Sequence, residues 1–239
     1  MPEIRTSVPE EVDAYLDAVV RKGIFSNKAE LVRAALVNYV NATGTFFQGF
    51  DSETIFAPDG RLYQVEYARE SAASGGTAAG IVCDDGLLLA AEVVGGSKLS
   101  PPSKKIVTIG DRLAVVCSGL VADGALILDE LKAAGPKTTD EVVRTVRTTL
   151  HRFTLSRSQR PLGVSVILGS TLDRKPRLVH MDPSGAGAER LATAMGRGAR
   201  AALGILEDRY RKMRLADAEK LVPELIGRGT PTEMLRISP

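Results

Sequence analysis

Two cysteines and two histidines are the scarcest reactive side chains in this 239-residue chain. Cys83 ends the apolar run AGIVC and Cys117 ends LAVVC, so both read as reduced, buried small hydrophobes rather than as a disulfide or metal site. His151 falls in a helical pattern and His180 in a strand pattern, each without a ligand-spaced partner, and both read as packing or surface residues. The segments SPPSKK (100–105) and GRGAR (196–200) join basic residues to glycine or proline. Neither has the glycine-lysine-serine spacing of a phosphate loop, and both read as solvated loops. Cofactor and metal are therefore both expected to be absent.

Composition bounds the remaining choices. With 44% hydrophobic and 25% charged residues the chain reads as globular, and a net charge of +2 singles out neither nucleic acid nor a membrane as partner. No run reaches the roughly 20 apolar residues that a membrane span needs, and MPEIRTSVPEEV has no apolar signal core. A cytoplasmic location without membrane contact is the expectation.

The first elements are short. EIRTSV alternates, with Ile4, Thr6 and Val8 on one face and Glu3, Arg5 and Ser7 on the other. Pro9 suits the first turn of a helix carrying Val12, Leu16, Val19 and Val20, which stops at Gly23. At NKAE, Asn27 can cap a second helix while Glu30 reaches back to complete a capping box; Leu31, Ala34, Ala35 and Val40 continue to Gly44. A strand and two helices of this size cannot bury a self-sufficient core, since chains below roughly 40 residues usually need a partner. A lone strand also needs another strand to bond to, which predicts pairing about a two-fold axis. These residues resemble a ribbon-helix-helix module of the CopG/Arc type over residues 2–42. That resemblance implies a groove-reading face of Glu3, Arg5 and Ser7, with a phosphate contact from Asn27 and Lys28. Residues 1–44 hold five Lys/Arg against six Asp/Glu, a poor footprint for DNA, so DNA binding and pure dimerisation both stay open.

Residues 45–54 read as a linker or an N-terminal arm, and the pattern then changes. TAAGIVCDDGLLLAAE and KKIVTIGDRLAVVCSG each read as a strand, a turn and a strand. Ala122–Leu131 and Thr139–Leu155 carry helical spacing; LGVSVILGS and PRLVHMDPSG are strands; ATAMGRGARAALGILEDRY and LADAEKLVPELIG are helices; TEMLRIS is a final strand. This order predicts helices packed on the faces of two antiparallel sheets.

FAPDGRLYQVEYARE, at 56–70, resembles the signature of proteasome α-type subunits. The likeness continues through GGTAAGI, KKIVTIGDRLAVVCSGLVADG, RPLGVSVILG, PRLVHMDPSG and ATAMGRGARAALGILEDRY. It implies an α+β, four-layer αββα sandwich over residues 55–239, the fold of N-terminal nucleophile hydrolases. The opening stretch would then be the turn and helix that cap the ring face. Pro58, Asp59 and Gly60 suit a tight turn, and Arg61, Tyr63, Glu66 and Tyr67 follow within the signature. Val65 and Ala68 can pack inward, with Gln64, Arg69 and Glu70 at a wet subunit contact.

Catalytic members of that fold use an N-terminal threonine assisted by a lysine, an acid and a serine. By the resemblance the threonine position is Gly76, the acid Glu92, the lysine Lys105 and the serine Arg197, and the Asp-x-x-Ser element is missing from ELIGRGTPTEM. A chain without peptidase activity is the expectation; self-processing at Thr77 is the weakest alternative. Three departures qualify the likeness. The Tyr-Asp-Arg gate element appears as Phe50-Asp51-Ser52, without the arginine's planar fork. Val82 falls where a lysine would receive the C-terminal tails of activator ATPases, which predicts weak docking. The chain also stops shortly into the last strand. The expected protein is a non-catalytic ring subunit, forming homo-oligomers and stacking on β-type subunits. Seven-fold rings cannot divide into pairs, so the N-terminal modules would pair between rings or build a different oligomer. The alternative is a DNA-binding regulator that borrows the fold to oligomerise or sense.

Overall fold

The computed structural model describes residues 7–23, 25–43, 53–57, 59–93, 98–99 and 104–238. The chain divides into two compact units, Met1–Asp51 and Ser52–Pro239.

In the first unit, α1 (Glu10–Arg21) and α2 (Lys28–Thr43) are joined through a turn at Gly23. Pro9 stands at the N-cap of α1 rather than inside its first turn, and its carbonyl accepts from the amides of Val12 and Asp13. Asn27 caps α2 by accepting from the Glu30 amide (2.9 Å). Glu30 does reach back, but to the amide of Ser26 (2.8 Å), one residue before the cap. The carboxylates of Asp13 and Asp17, one helical turn apart on α1, bracket the Lys28 ammonium at 2.7 and 2.9 Å. No residue of α1 is buried. The strand expected at 3–8 lies mostly outside the described residues, Glu3 and Arg5 included; Ser7 and Val8 are exposed and have no regular structure.

The second unit holds two antiparallel sheets. β1 (Ala78–Cys83) and β2 (Gly86–Glu92) form the first hairpin, closing at Cys83 opposite Gly86. β3 (Ile106–Thr108) and β4 (Leu113–Gly119) form the second. β5 (Val164–Ser170), β6 (Arg177–Met181) and β7 (Gly187–Arg190) extend it into a five-stranded sheet of order β3-β4-β5-β6-β7. β8 (Ala192–Met195) and β9 (Thr232–Ile237) flank the first hairpin, giving the order β8-β1-β2-β9. β9 pairs with β2 at six positions, from Leu87 to Glu92, so this edge is nearly as long as the strand it covers.

Alternation along the strands sorts three apolar layers. Leu87, Leu89 and Ala91 face the other sheet, meeting Ala114, Val116, Ile167 and Leu178. Leu88 and Ala90 face the opposite way, onto α6 (Ala199–Arg209) and α7 (Leu215–Ile226) through Ala202, Leu206, Ala218 and Val222. Val115, Val166 and Leu168 point outward from the second sheet onto α4 (Val121–Ala134) and α5 (Thr139–Thr154), through Ile127, Leu131, Val142, Val146 and Leu150. Helices therefore cover both outer faces, and the unbroken apolar run in β2 follows from burial on its two sides. Thr138 caps α5 as Asn27 caps α2, and Glu141 reaches the Lys137 amide as Glu30 reaches Ser26.

Two expectations need correction. ATAM is not helical but forms β8, because its backbone completes the free edge of β1; the helix begins only at Ala199. β7 is an additional strand, fully exposed along its length, with too little apolar alternation to announce itself.

Candidate functional site

The turn and helix at 56–74 are built locally. The Gly60 amide donates to the Ala57 carbonyl (2.8 Å), and Gly60 takes φ +82, a left-handed value that suits glycine. Asp59 accepts from the Arg61 amide (3.1 Å) and from the Tyr63 hydroxyl (3.2 Å). The Arg61 guanidinium forks onto the Glu66 carboxylate and lies 4.7 Å from the Tyr63 ring centre. α3 (Tyr63–Ser74) buries Tyr63, Val65, Ala68 and Ala72 and packs on β4 and β5. Tyr67 faces outward, 41% exposed. Arg69 binds Asp182, just past the end of β6, within the chain (2.8–2.9 Å). Phe50, Asp51 and Pro58 lie outside the described residues.

α3 leads into the position singled out by the missing nucleophile. Gly76 is buried, and its carbonyl accepts from the Lys105 ammonium. The Ser118 hydroxyl lies 3.1 Å from the same carbonyl and 3.2 Å from that of Ala72. Lys105 is placed by β3, its amide donating to Glu233 of β9 (2.9 Å). Burial holds the Lys105 ammonium below the ordinary lysine range; Glu92 opposes that shift and Arg197 adds to it. Glu92, at the end of β2 and 8% exposed, accepts from the Thr77 amide (2.9 Å) and from the Arg197 guanidinium. The Thr77 hydroxyl accepts from the Gly198 amide (3.1 Å). All four expected positions, Gly76, Glu92, Lys105 and Arg197, thus meet around one junction of β1, β2, β3 and the β8–α6 turn. Ser118 is the member that sequence reasoning missed; its serine in the apolar strand LAVVCSG was the available signal.

Beside this junction lies a cavity of ≈ 400 Å³. Gly76, Lys104, Lys105 and Arg197 contribute its polar wall, and Val107, Cys117, Leu120, Val121 and Leu128 its apolar one. Burial pushes the Cys117 thiol up to about 12 and the Cys83 thiol up to about 11, so both stay protonated at neutral pH. Both are free cysteines, but Cys117 is only partly buried because it faces the cavity.

Other expectations resolve differently. Val82 packs on the layer between the sheets, its amide donating to the Leu191 carbonyl and its carbonyl accepting from the Tyr210 hydroxyl. His180 is held by Thr193 (2.9 Å) between the sheets, and burial lowers its pKa; His151 is exposed on α5. Lys28 is occupied by two carboxylates and Asn27 by its own helix, so neither offers the phosphate contact expected of them. Among the described residues no cluster of three His, Cys, Asp or Glu could hold a metal, and no helix is long and apolar enough to cross a membrane.

Two antiparallel sheets between helix layers, entered through a turn and helix beside a glycine-centred junction, define a proteasome-like α+β fold. A family model described as proteasome subunit matches residues 72–233, and the N-terminal signature of the A-type proteasome subunits matches residues 51–70. The chain belongs to the proteasome subunit family, as an α-type member. It is 37% identical to the proteasome alpha subunit of Thermococcus sibiricus, over 72% of this chain and 71% of that one. It is 38% identical to that of Archaeoglobus fulgidus, covering 68% and 71% of the two chains. For Methanobrevibacter smithii the identity is 35%, over 77% and 79%.

Proposed function

We propose that the chain is a non-hydrolytic α-type ring subunit of a protein-degrading core particle, structural and gating in role, stacked on β-type subunits. The observation that carries this reading is the junction at Gly76. The position has no side chain to attack with, its carbonyl takes the lysine that would serve a nucleophile, and Arg197 occupies Glu92. Thr77 is a poor substitute, because it lies immediately before β1 at 3% exposure with its amide, carbonyl and hydroxyl all engaged. The purified protein is expected to leave fluorogenic peptides intact and to keep its full mass, with Thr77→Ala changing neither. Release of a fragment beginning at Thr77, or hydrolysis lost in that variant, would overturn the reading.

The ring face would be formed by the 56–67 turn and helix, with Asp59, Gly60, Arg61, Tyr63 and Glu66 fixing its shape and Tyr67 exposed to a neighbour. Pro58, Phe50 and Asp51 belong to the same proposed gate region. The N-terminal unit is read as a dimerising ribbon-helix-helix module, supported by two helices of suitable order that bury no side chain of α1 among themselves. With Lys28 neutralised by Asp13 and Asp17, pairing is a better account of this unit than DNA binding. Mass photometry and electron microscopy test it. The full chain is expected to show rings joined in pairs, and a chain beginning at Ser52 single rings. Identical particles from both chains would remove the module's pairing role.

A further inference from the structure

The five-stranded sheet presents a second cavity at its β7 edge, the far side of that sheet from β3. It measures ≈ 370 Å³ and is lined by His180, Asp182, Ala186, Gly187, Ala188 and Arg190. That volume falls in the range of small-ligand sites. The strand register explains how these side chains meet. His180 pairs with Ala188 and Leu178 with Arg190, so the imidazole and the guanidinium share one face as diagonal neighbours. Glu189 alternates to the other face, where Arg177 binds it at 3.1 Å. We propose that this cavity binds a phosphate group, free or carried by a small ester, between the Arg190 guanidinium and the His180 imidazole.

Three features of the cavity suit an anion. Arg190 is exposed and forms no ion pair among the described residues, so its planar fork is available to two phosphate oxygens. His180 uses Nδ1 on the Thr193 hydroxyl (2.9 Å), and among the described residues no buried side-chain nitrogen or oxygen lacks a partner. Nε2 has no such partner and therefore opens to the cavity. When the Thr193 hydroxyl donates to Nδ1, the neutral ring carries its proton on Nε2 and offers it to the ligand. Burial and Arg190 lower the His180 pKa while Asp182 raises it, and the ring stays neutral at pH 7. Asp182 is the acid in the lining, and its charge is already engaged. Its Oδ2 accepts from Arg69 (2.8–2.9 Å), and its Oδ1 accepts from the amides of Ser184 (2.9 Å) and Ala186 (3.1 Å). The charge left over in the cavity is the positive charge of Arg190.

The test uses the full-length protein with isotope-labelled histidine, read by nuclear magnetic resonance. The chain has two histidines, His151 and His180, and a His151→Gln sample assigns their ring signals. At pH 7, inorganic phosphate is titrated against chloride of matched ionic strength. The His180 signals are expected to move saturably with a midpoint of about 1 mM, the strength of a few exposed charge-assisted hydrogen bonds. His151, exposed on α5, should stay near its chloride position. Arg190→Gln should raise the midpoint roughly tenfold or more, through loss of a charged hydrogen-bonding partner. Arg190→Lys keeps the charge without the fork and should fall between. Both replacements lie on an exposed strand and leave the core intact. Glycerol 3-phosphate in the same titration separates the two sources. A lower midpoint than that of phosphate assigns the rest of the cavity to the body of an ester, and an equal one assigns the site to free phosphate. A His180 shift no larger than that of His151, or one unchanged in Arg190→Gln, would overturn the proposal.

Discussion

Gly119→Ala is expected to destabilise the second unit by about 4 kcal/mol and to lower its melting temperature by roughly 10 °C. Gly119 ends β4 at φ +122, a conformation that L side chains rarely adopt. A methyl group there would lie 2.1 Å from the Gly163 carbonyl oxygen and 2.9 Å from the Ala72 Cα, both backbone atoms that cannot swing aside. Strain and overpacking each contribute about 1–3 kcal/mol. The contact lies where α3, β4 and the chain entering β5 converge, so relief by backbone movement would shift Ala72 and with it the cavity wall beside Gly75 and Gly76. Gly110→Ala is the matched control. Gly110 has φ +63 in the β3–β4 turn but open space around it, so only strain remains and the loss should be about 1 kcal/mol. Calorimetry on both variants checks the difference. Equal losses would mean that steric contact at the α3 junction contributes nothing.

The two hairpins could be read directly because local chemistry and tertiary structure agree there. DDG and IGDR put turn residues between apolar runs, and the observed registers close across those turns. ATAM could not be read in this way. Four residues are too few for a period to show, and what makes them a strand is the open edge of β1, more than a hundred residues earlier. The same holds for the site. Gly76, Glu92, Lys105 and Arg197 come together only because β1, β2, β3 and the β8–α6 turn converge, and no spacing in the chain encodes that. Likeness to a known family supplied the four positions, while alternation alone places the Val82 side chain between the sheets with Ala78. Ser118 and the Arg69–Asp182 pair escaped both routes, since each joins elements distant in sequence.

Asp123→Asn is expected to cost about 2–4 kcal/mol, with a pH dependence that separates charge from packing. Asp123 lies in the first turn of α4 at 6% exposure, where a negative charge also suits the helix N-terminus. Its Oδ2 accepts from the Gly163 amide (2.8 Å) and from one arm of the Arg160 guanidinium (2.7 Å), and its Oδ1 accepts from the other arm (2.9 Å). This carboxylate fixes the backbone of Gly163, the residue that Gly119 must approach so closely. An asparagine can accept at only one of the two atoms, so its NH₂ would face either a guanidinium or a backbone N–H, donor against donor. Burial pushes the Asp123 pKa up, but Arg160 and the Gly163 amide outweigh it and leave the value below the ordinary 3.8. A carboxylate depressed on folding contributes its stability above the unfolded pKa and loses it as pH falls through the folded one. The gap between wild type and Asp123→Asn should therefore stay constant from neutral pH down to about 5 and narrow only below about 4. Arg160 is more than half exposed, so Arg160→Ala should cost less, its attraction being screened by solvent while the Gly163 bond survives. Urea unfolding of the three proteins across this pH range measures all of these differences. A gap that keeps its full size at the lowest pH would place the role of Asp123 in its shape and not in its charge.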